Sequence, residues 1–536
     1  MQTQQHRYGR KAYRGTRACS RWEIGMVTDW LDVGEVSAER DPNLHQYFYD
    51  AGVSASLVRN PKQYLLLGRK GAGKTAVFLH LVAKPASVFN ASDSVAGLSL
   101  QSYNWRAHEL LSNNLRSGGF QHRDSWRFVL SVESIRSVVS HCQLHNQELP
   151  QPIAHAAEVL EKLFSKPVPS WIELLGEKLF SLATAKLPNF GSSDAGFKLS
   201  GGEITFDQIK SDQALKKQLN QNIESLTCWL EQCLESLPDS LRVFLVFDRL
   251  DEAWVPDFIA ESKLIISGLL HASEHVLHRF RGRIRPLVFL REDIFSTFDI
   301  NDRNKLREDC SESLRWSQDA IERLVLARIN FYAGKASRRS LTSLQEIFLE
   351  KEMRSRTTPV KHIYNRTMGR PRDIVAFLGR TFRTAADEDL RSPDGEKILT
   401  RAVYAAEPGY SEYLYEEVSD EWRNQNPKFL DYLRTLENLR YAAITTEELE
   451  QALEAKGLTA DRAEFRSTVR FLFENSIIGI TVGESKQWRY RCFYPNQAFV
   501  DTDVIKVHPG LIKRLGLTEG ASEKASTAGV SQSMAE

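Results

Sequence analysis

Residues 63–82 read Gln-Tyr-Leu-Leu-Leu-Gly-Arg-Lys-Gly-Ala-Gly-Lys-Thr-Ala-Val-Phe-Leu-His-Leu-Val. Within this stretch Gly68, Arg69, Lys70, Gly71, Ala72, Gly73, Lys74 and Thr75 spell G-x-x-x-x-G-K-T. A β-rich run, Tyr64 to Leu67, precedes the motif, and apolar residues at helical spacing (Val77, Phe78, Leu79, Leu81, Val82) follow it. The glycines let successive N–H groups converge on a β-phosphate, and the following helix adds the positive end of its dipole. Lys74 is expected to reach the β- and γ-phosphates and the Thr75 hydroxyl to ligate Mg²⁺, with Ala76 completing the cradle. A glycine-rich turn that merely caps a helix is the plainer alternative.

A second apolar run, Val243 to Phe247, ends in Asp248, with Asp251 and Glu252 just beyond it. A run without alternation reads as a buried parallel strand, and the carboxyl end of such a strand is where open α/β sheets place their chemistry. Asp248 is the expected Mg²⁺ holder, and Glu252, or with less support Asp251, is the expected activator of the attacking water. A third strand is predicted over 284–290. It ends at Arg291, which either senses a γ-phosphate or pairs with Asp293.

Asp248 comes 173 positions after Thr75, a long separation for two halves of one site. Residues 104–190 are helix-patterned (Trp171, Leu174, Leu175, Leu179), so a mostly helical insertion is predicted over 85–240. Leu199-Ser200-Gly201-Gly202-Glu203 looks like the signature loop of ABC-type ATPases, yet its apolar flanks favour a hairpin turn. Farther on, Gly369-Arg370-Pro371-Arg372 opens a helix and could bring Arg372 over a bound nucleotide. Residues 354–383 hold eight Lys and Arg against Asp373, a local basic face and a candidate DNA contact.

The C-terminal part is predicted to form helices over 429–439, from Thr446 behind a capping Thr445, and over 462–475. A hairpin across 483–486 follows, which completes a winged-helix pattern. Arg462, Arg466 and Arg470 line one face of the third helix, so DNA and protein both stand as partners.

The 536 residues suggest about three domains, and 70 Lys and Arg against 69 Asp and Glu give no global field for nucleic acid or membrane. Six cysteines without a C-x-x-C pair argue against zinc and disulfides and fit a reduced, cytoplasmic setting. No apolar run approaches the roughly 18 residues of a spanning helix. Residues 1–22 are basic and read as a solvated arm or a phosphate-touching one.

Together GRKGAGKT, the FLVFDRLDE segment, LVFLRED, GRPRD and the C-terminal pattern resemble the STAND and origin-recognition-like branch of AAA+ P-loop ATPases, with a NACHT-like acidic strand. The segment from Glu35 to Phe48 is similar to the lead-in of a bacterial group of such ATPases. The resemblance implies an α/β P-loop fold: an ATPase core over 23–300, a helical lid over 301–410, a winged-helix domain over 411–517 and a disordered tail over 518–536. It implies ATP and Mg²⁺ as cofactors, Lys74 and Thr75 on phosphate and metal, Asp248 on the metal, Glu252 as catalytic acid, and Arg291 and Arg372 as first and second sensors. Arg291 stands where many AAA+ proteins carry Asn, and the terminal repeat array and appended effector of typical STAND switches are not expected in this chain. The expectation is a nucleotide-controlled switch in antiviral defence or DNA transactions, with an effector on another chain, room for oligomerisation and no membrane contact. An ATP-binding scaffold and a DNA-binding regulator with little turnover are the alternatives.

Overall fold

The computed structural model describes residues 26–527 except 113–117, 165–178, 181, 185–205, 301–302, 355 and 484–486. The basic arm, the turn around Gly201-Gly202, and Trp171, Leu174 and Leu175 therefore lie outside the described residues. Among the described residues, one sheet is fully parallel, in the order β2-β3-β4-β1-β5. Its strands are β1 (Leu65–Gly68), β2 (Ser94–Ser99), β3 (Val243–Asp248), β4 (Ile284–Arg291) and β5 (Ser311–Ser313).

Alternate residues of the central strands enter different cores. Leu65, Leu67, Leu245 and Phe247 face the larger one, while Leu66, Phe244 and Val246 face the packing of helix Lys74–Ala83. Both faces are covered, which is why these strands read as unbroken apolar runs. β2 and β5 were not foreseen. They are the sheet edges, and their serine-rich sequences carry little apolar signal. The insertion expected over 85–240 is corrected accordingly, since β2 belongs to the sheet and the helices come after it.

Those helices are Arg123–Leu144, Gln151–Phe164 and Gln213–Leu234; the first packs with Ile259–Arg279 against the sheet, and the other two pack on that first helix. A buried charge cluster ties Arg123–Leu144, Gln213–Leu234 and Ile259–Arg279 together. Arg127 donates to both carboxylate oxygens of Glu231 at 2.9 and 2.7 Å, and His275 and Arg279 approach the same carboxylate at 3.4 Å.

The three C-terminal helices are present as Phe429–Glu437, Thr446–Glu454 and Arg462–Glu474, the second opened by a Thr445–Glu448 capping box. They flank a second sheet of β6 (Tyr441–Thr445), β7 (Ile478–Ile480), β8 (Val504–Val507) and β9 (Thr518–Ala521), in the order β7-β8-β6-β9. The predicted hairpin is corrected, because β7 pairs with β8, and residues 488–494 retain a single bridge, Ile480 to Arg489. Tyr490 packs on Gly479 and the Cys492 amide donates to the Ser476 hydroxyl at 2.8 Å. That segment therefore folds inward instead of extending. The tail expected to be disordered from Thr518 is ordered through Thr527. β9 pairs with β6, and Ser522 caps helix Glu523–Thr527, whose Ala525 is buried.

Burial alone would raise the Glu231 carboxyl, but hydrogen bonds from His275 and Arg127, with the Arg127 charge, bring it down to about 2. A depressed acid stabilises the fold above its unfolded value of about 4.3 and loses that contribution as pH falls toward 2. Glu231→Gln, which leaves Arg127 with Asp124 at 3.2 Å as its remaining acid, should cost roughly 2–3 kcal/mol at pH 7. Urea unfolding over a pH series should show that gap closing below about pH 4.

Candidate functional site

β1 runs into the 68–75 loop, and Gly68 is the register partner of Arg291, so the loop and that arginine leave the sheet side by side. Gly71 and Gly73 have φ of +77° and +99°, a region that an L side chain adopts with strain. The amides of the loop thereby lead into helix Lys74–Ala83. Lys74 folds back, its Nζ donating to the carbonyls of Gly68 at 2.9 Å and Arg69 at 3.2 Å. Burial lowers its hold on its proton, and Asp251 and Asp248 oppose that.

Asp248 ends β3 with 3% of its surface exposed. Burial raises its carboxyl to about 6, against the pull of a Thr75 hydrogen bond and of Lys74. Its Oδ2 is buried with no hydrogen-bond partner. An orphaned carboxylate oxygen beside a threonine hydroxyl fits a hard divalent cation, which takes oxygen ligands and keeps places for water and phosphate. The predicted pair Thr75 and Asp248 is thus brought together.

Arg291 lines the same cleft but is already engaged. It grips Asp293 with Nε at 3.2 Å and Nη2 at 2.8 Å, and its Nη1 lies 3.6 Å from Asp251. Of the two readings left open for Arg291, the pair with Asp293 is the one formed. Asp293 also accepts from Gln425 at 2.9 Å, which links this strand end to the chain after helix Arg401–Trp422. Beyond β3, Arg249 adopts φ +64° and turns the chain into the 3₁₀ segment Leu250–Ala253. Glu252 accepts from Arg249 at 3.1 Å, and Arg249 also reaches Glu39 at 2.5 Å. Glu39 belongs to the lead-in, whose Val36, Tyr47 and Phe48 line the cleft. Arg328 anchors that lead-in by donating to the carbonyls of Val33 at 2.8 Å and Glu35 at 3.2 Å.

The Gly369-Arg370-Pro371-Arg372 turn sits directly on the loop. Arg372 lines the cleft as predicted and pairs with Glu417 at 3.0 Å, and Lys70 lies 3.7 Å from the same glutamate. Arg370, which the sequence offered no reason to prefer, is the closer strut, donating to the Lys70 carbonyl at 2.9 Å and to Glu421 at 2.8 Å. A side chain at Gly71 would press on both arginines. Trp316 adds a bond from Nε1 to the Ala72 carbonyl at 2.8 Å, and Arg69 donates to the Glu474 carbonyl at 3.2 Å. The loop is therefore touched by the 369–372 turn and by the C-terminal end of the third C-terminal helix.

The basic face expected over 354–383 is partly neutralised by the same helix, Arg401–Trp422, which pairs three of its eight cations with acids. Its Glu407, Glu417 and Glu421 meet Arg366, Arg372 and Arg370, and its Tyr404 and Tyr413 lie under Arg354 and Arg380. The counter-charges come from more than 40 positions downstream, which a local count omits. The arginine line of helix Arg462–Glu474 is likewise paired: Arg462 with Glu450, Arg466 with Asp501 at 2.8 Å and Arg470 with Glu474 at 3.1 Å. Among the described residues no helix is long and apolar enough to cross a membrane.

A parallel sheet whose first strand enters a helix through G-x-x-x-x-G-K-T, with a buried aspartate ending a nearby strand, is an α/β P-loop nucleotide-binding fold. A family model described as the FunZ-associated C-terminal helical domain matches residues 319–419. The putative transposon gamma-delta 80.3 kDa protein of Escherichia coli K12 is 23% identical over 397 residues, 72% of this chain and 51% of that protein. The chain thus spans about half the length of that relative. Among solved structures, Cdc6p from Pyrobaculum aerophilum aligns with 14% identity and a TM-score of 0.27, covering 88% of this chain and 93% of that one. Drosophila ORC bound to DNA aligns with 11% identity and a TM-score of 0.29, covering 94% of each.

The raised Asp248 value has a sign. Between 3.8 and about 6 the folded protein keeps a proton that the unfolded chain has lost, so stability falls as pH rises through that window. Asp248→Asn should stabilise the nucleotide-free protein by about 1–3 kcal/mol at pH 7.5 and change little near pH 4. The same variant should lose any stabilisation by Mg²⁺ with nucleotide; thermal unfolding at the two pH values, with and without Mg²⁺ and ATP, reads both effects.

Proposed function

We propose that this chain binds and hydrolyses ATP with Mg²⁺ and works as a nucleotide-controlled switch. The observation that supports this most is the convergence of Lys74, Thr75 and the orphaned Asp248 oxygen at one end of the parallel sheet, under a lid turn that rests on the phosphate loop. Lys74 would leave the loop carbonyls for the β- and γ-phosphates, and the amides of 70–75 would hold the β-phosphate. Thr75 and Asp248 would hold Mg²⁺, which supplies charge neutralisation at the phosphates when bound. Arg372 would exchange Glu417 for the γ-phosphate, and Arg291 would steady the phosphate end from β4. A carboxylate of the Leu250–Ala253 turn would receive the proton of the attacking water.

The switching role draws support from Arg69 and Gln425, which connect the loop and the Asp293 strand end to the C-terminal part. The transposon-borne relative supports a place in DNA transactions, and antiviral defence through an effector on another chain is the companion reading. Lys74→Ala should lower single-turnover release of γ-phosphate by at least about 100-fold. Turnover like that of the unaltered protein would remove the assignment.

The pairing of Arg462, Arg466 and Arg470 with acids favours a protein rather than duplex DNA as the partner of the C-terminal winged-helix-like unit. On that reading, Arg466→Ala with Arg470→Ala leaves the salt slope of duplex binding unchanged in fluorescence anisotropy. A fall of about one per arginine would instead support a DNA contact.

A further inference from the structure

We propose that Asp251, and not Glu252, is the general base for the attacking water; this rests on the ATPase reading above. The 3₁₀ turn Leu250–Ala253 is pinned by its ends, since Leu250 and Ala253 are 1% and 2% exposed. A 3₁₀ turn advances about 120° per residue, so the two acids between those anchors point in different directions. Asp251 faces the phosphate end, with its Oδ2 3.6 Å from the Arg291 guanidinium. It is also the foremost acidic neighbour of Lys74. Glu252 also lines the cleft but stands on the lead-in side of it, where Arg249 holds it at 3.1 Å and itself reaches Glu39 at 2.5 Å.

A general base must come within about 3 Å of the water it deprotonates, directly or through one further water. The Asp251 carboxylate stands at the phosphate end with only the looser 3.6 Å contact of Arg291 on it. Glu252 would first have to leave Arg249. The step balances: the water oxygen bonds to the γ-phosphorus, and the bond from that phosphorus to the β,γ-bridging oxygen breaks, its electron pair leaving with ADP. One water proton passes to the Asp251 carboxylate, which returns it to phosphate or solvent. Arg249 then acts as a clasp that keeps Glu252 against the lead-in, and its left-handed backbone directs the whole turn.

The test compares Asp251→Asn and Glu252→Gln in the full chain, by single-turnover release of γ-phosphate from ATP with Mg²⁺ and by the affinity for a fluorescent ATP analogue. Asp251→Asn should keep the affinity within a few-fold and slow release by at least about 100-fold, the share a general base supplies. Glu252→Gln should slow release by no more than about fivefold. Loss of release in Glu252→Gln with release retained in Asp251→Asn overturns the inference alone. Absence of release from the unaltered protein overturns the ATPase reading and the inference together. Should Asp251→Asn fail to fold, the Glu252→Gln result decides by itself, because a loss of 100-fold there is incompatible with Asp251 as the base.

Discussion

The site depends on parallel register. β4 lies between β1 and β3, and its pairing sets Gly68 beside Arg291 and Phe247 beside Val288, so three strand ends open on one edge of the sheet. Hydrophobic burial on both faces fixes that register, since a slip of one residue would turn Leu65 and Leu67 out of the larger core. Once it is fixed, Asp248 has no choice of surroundings. It ends a buried strand, loses hydration and is left with an unpaired oxygen beside Thr75. A fold that buries an acid in this way gives up stability at neutral pH, a familiar feature of sites that await a charged ligand.

The second constraint is charge placed at a distance. Helix Arg401–Trp422 carries the glutamates that hold Arg366, Arg370 and Arg372, so the 369–372 turn is braced by ion pairs where it touches the 68–75 loop. Glu417 has a double role, because it stands near both Lys70 and Arg372, the two cations that a triphosphate would also attract. On the proposed reading nucleotide would compete with this internal carboxylate, and the outcome would reach the C-terminal part through Arg69, which ends on the Glu474 carbonyl, and through Phe493 beside Gly369.

Much of this was legible in the chain itself. The three central strands announced themselves as unbroken apolar runs, and Lys74, Thr75 and Asp248 were identifiable because phosphate and Mg²⁺ chemistry restricts the residue types that serve. The edge strands were not, since Ser94–Ser99 and Ser311–Ser313 are polar and short. Arg370 and Arg372 are chemically identical and two positions apart, so only geometry separates the strut from the residue that lines the cleft. The same holds for Asp251 and Glu252, adjacent acids whose directions are set by a turn that no local pattern announces. Pairing beyond the local window also hid the true partner of β7, which is Val504–Val507 and not the nearer 488–494 segment.

The central claim is that the cleft over residues 68–75 is a triphosphate site whose lysine is parked on its own loop. A structure determined with Mg²⁺ and a non-hydrolysable ATP analogue tests it most directly. The account predicts the β-phosphate within hydrogen-bond reach of the 70–75 amides and Lys74 Nζ withdrawn from the Gly68 and Arg69 carbonyls. A nucleotide bound elsewhere, or bound in the cleft with Lys74 still on those carbonyls, would contradict it.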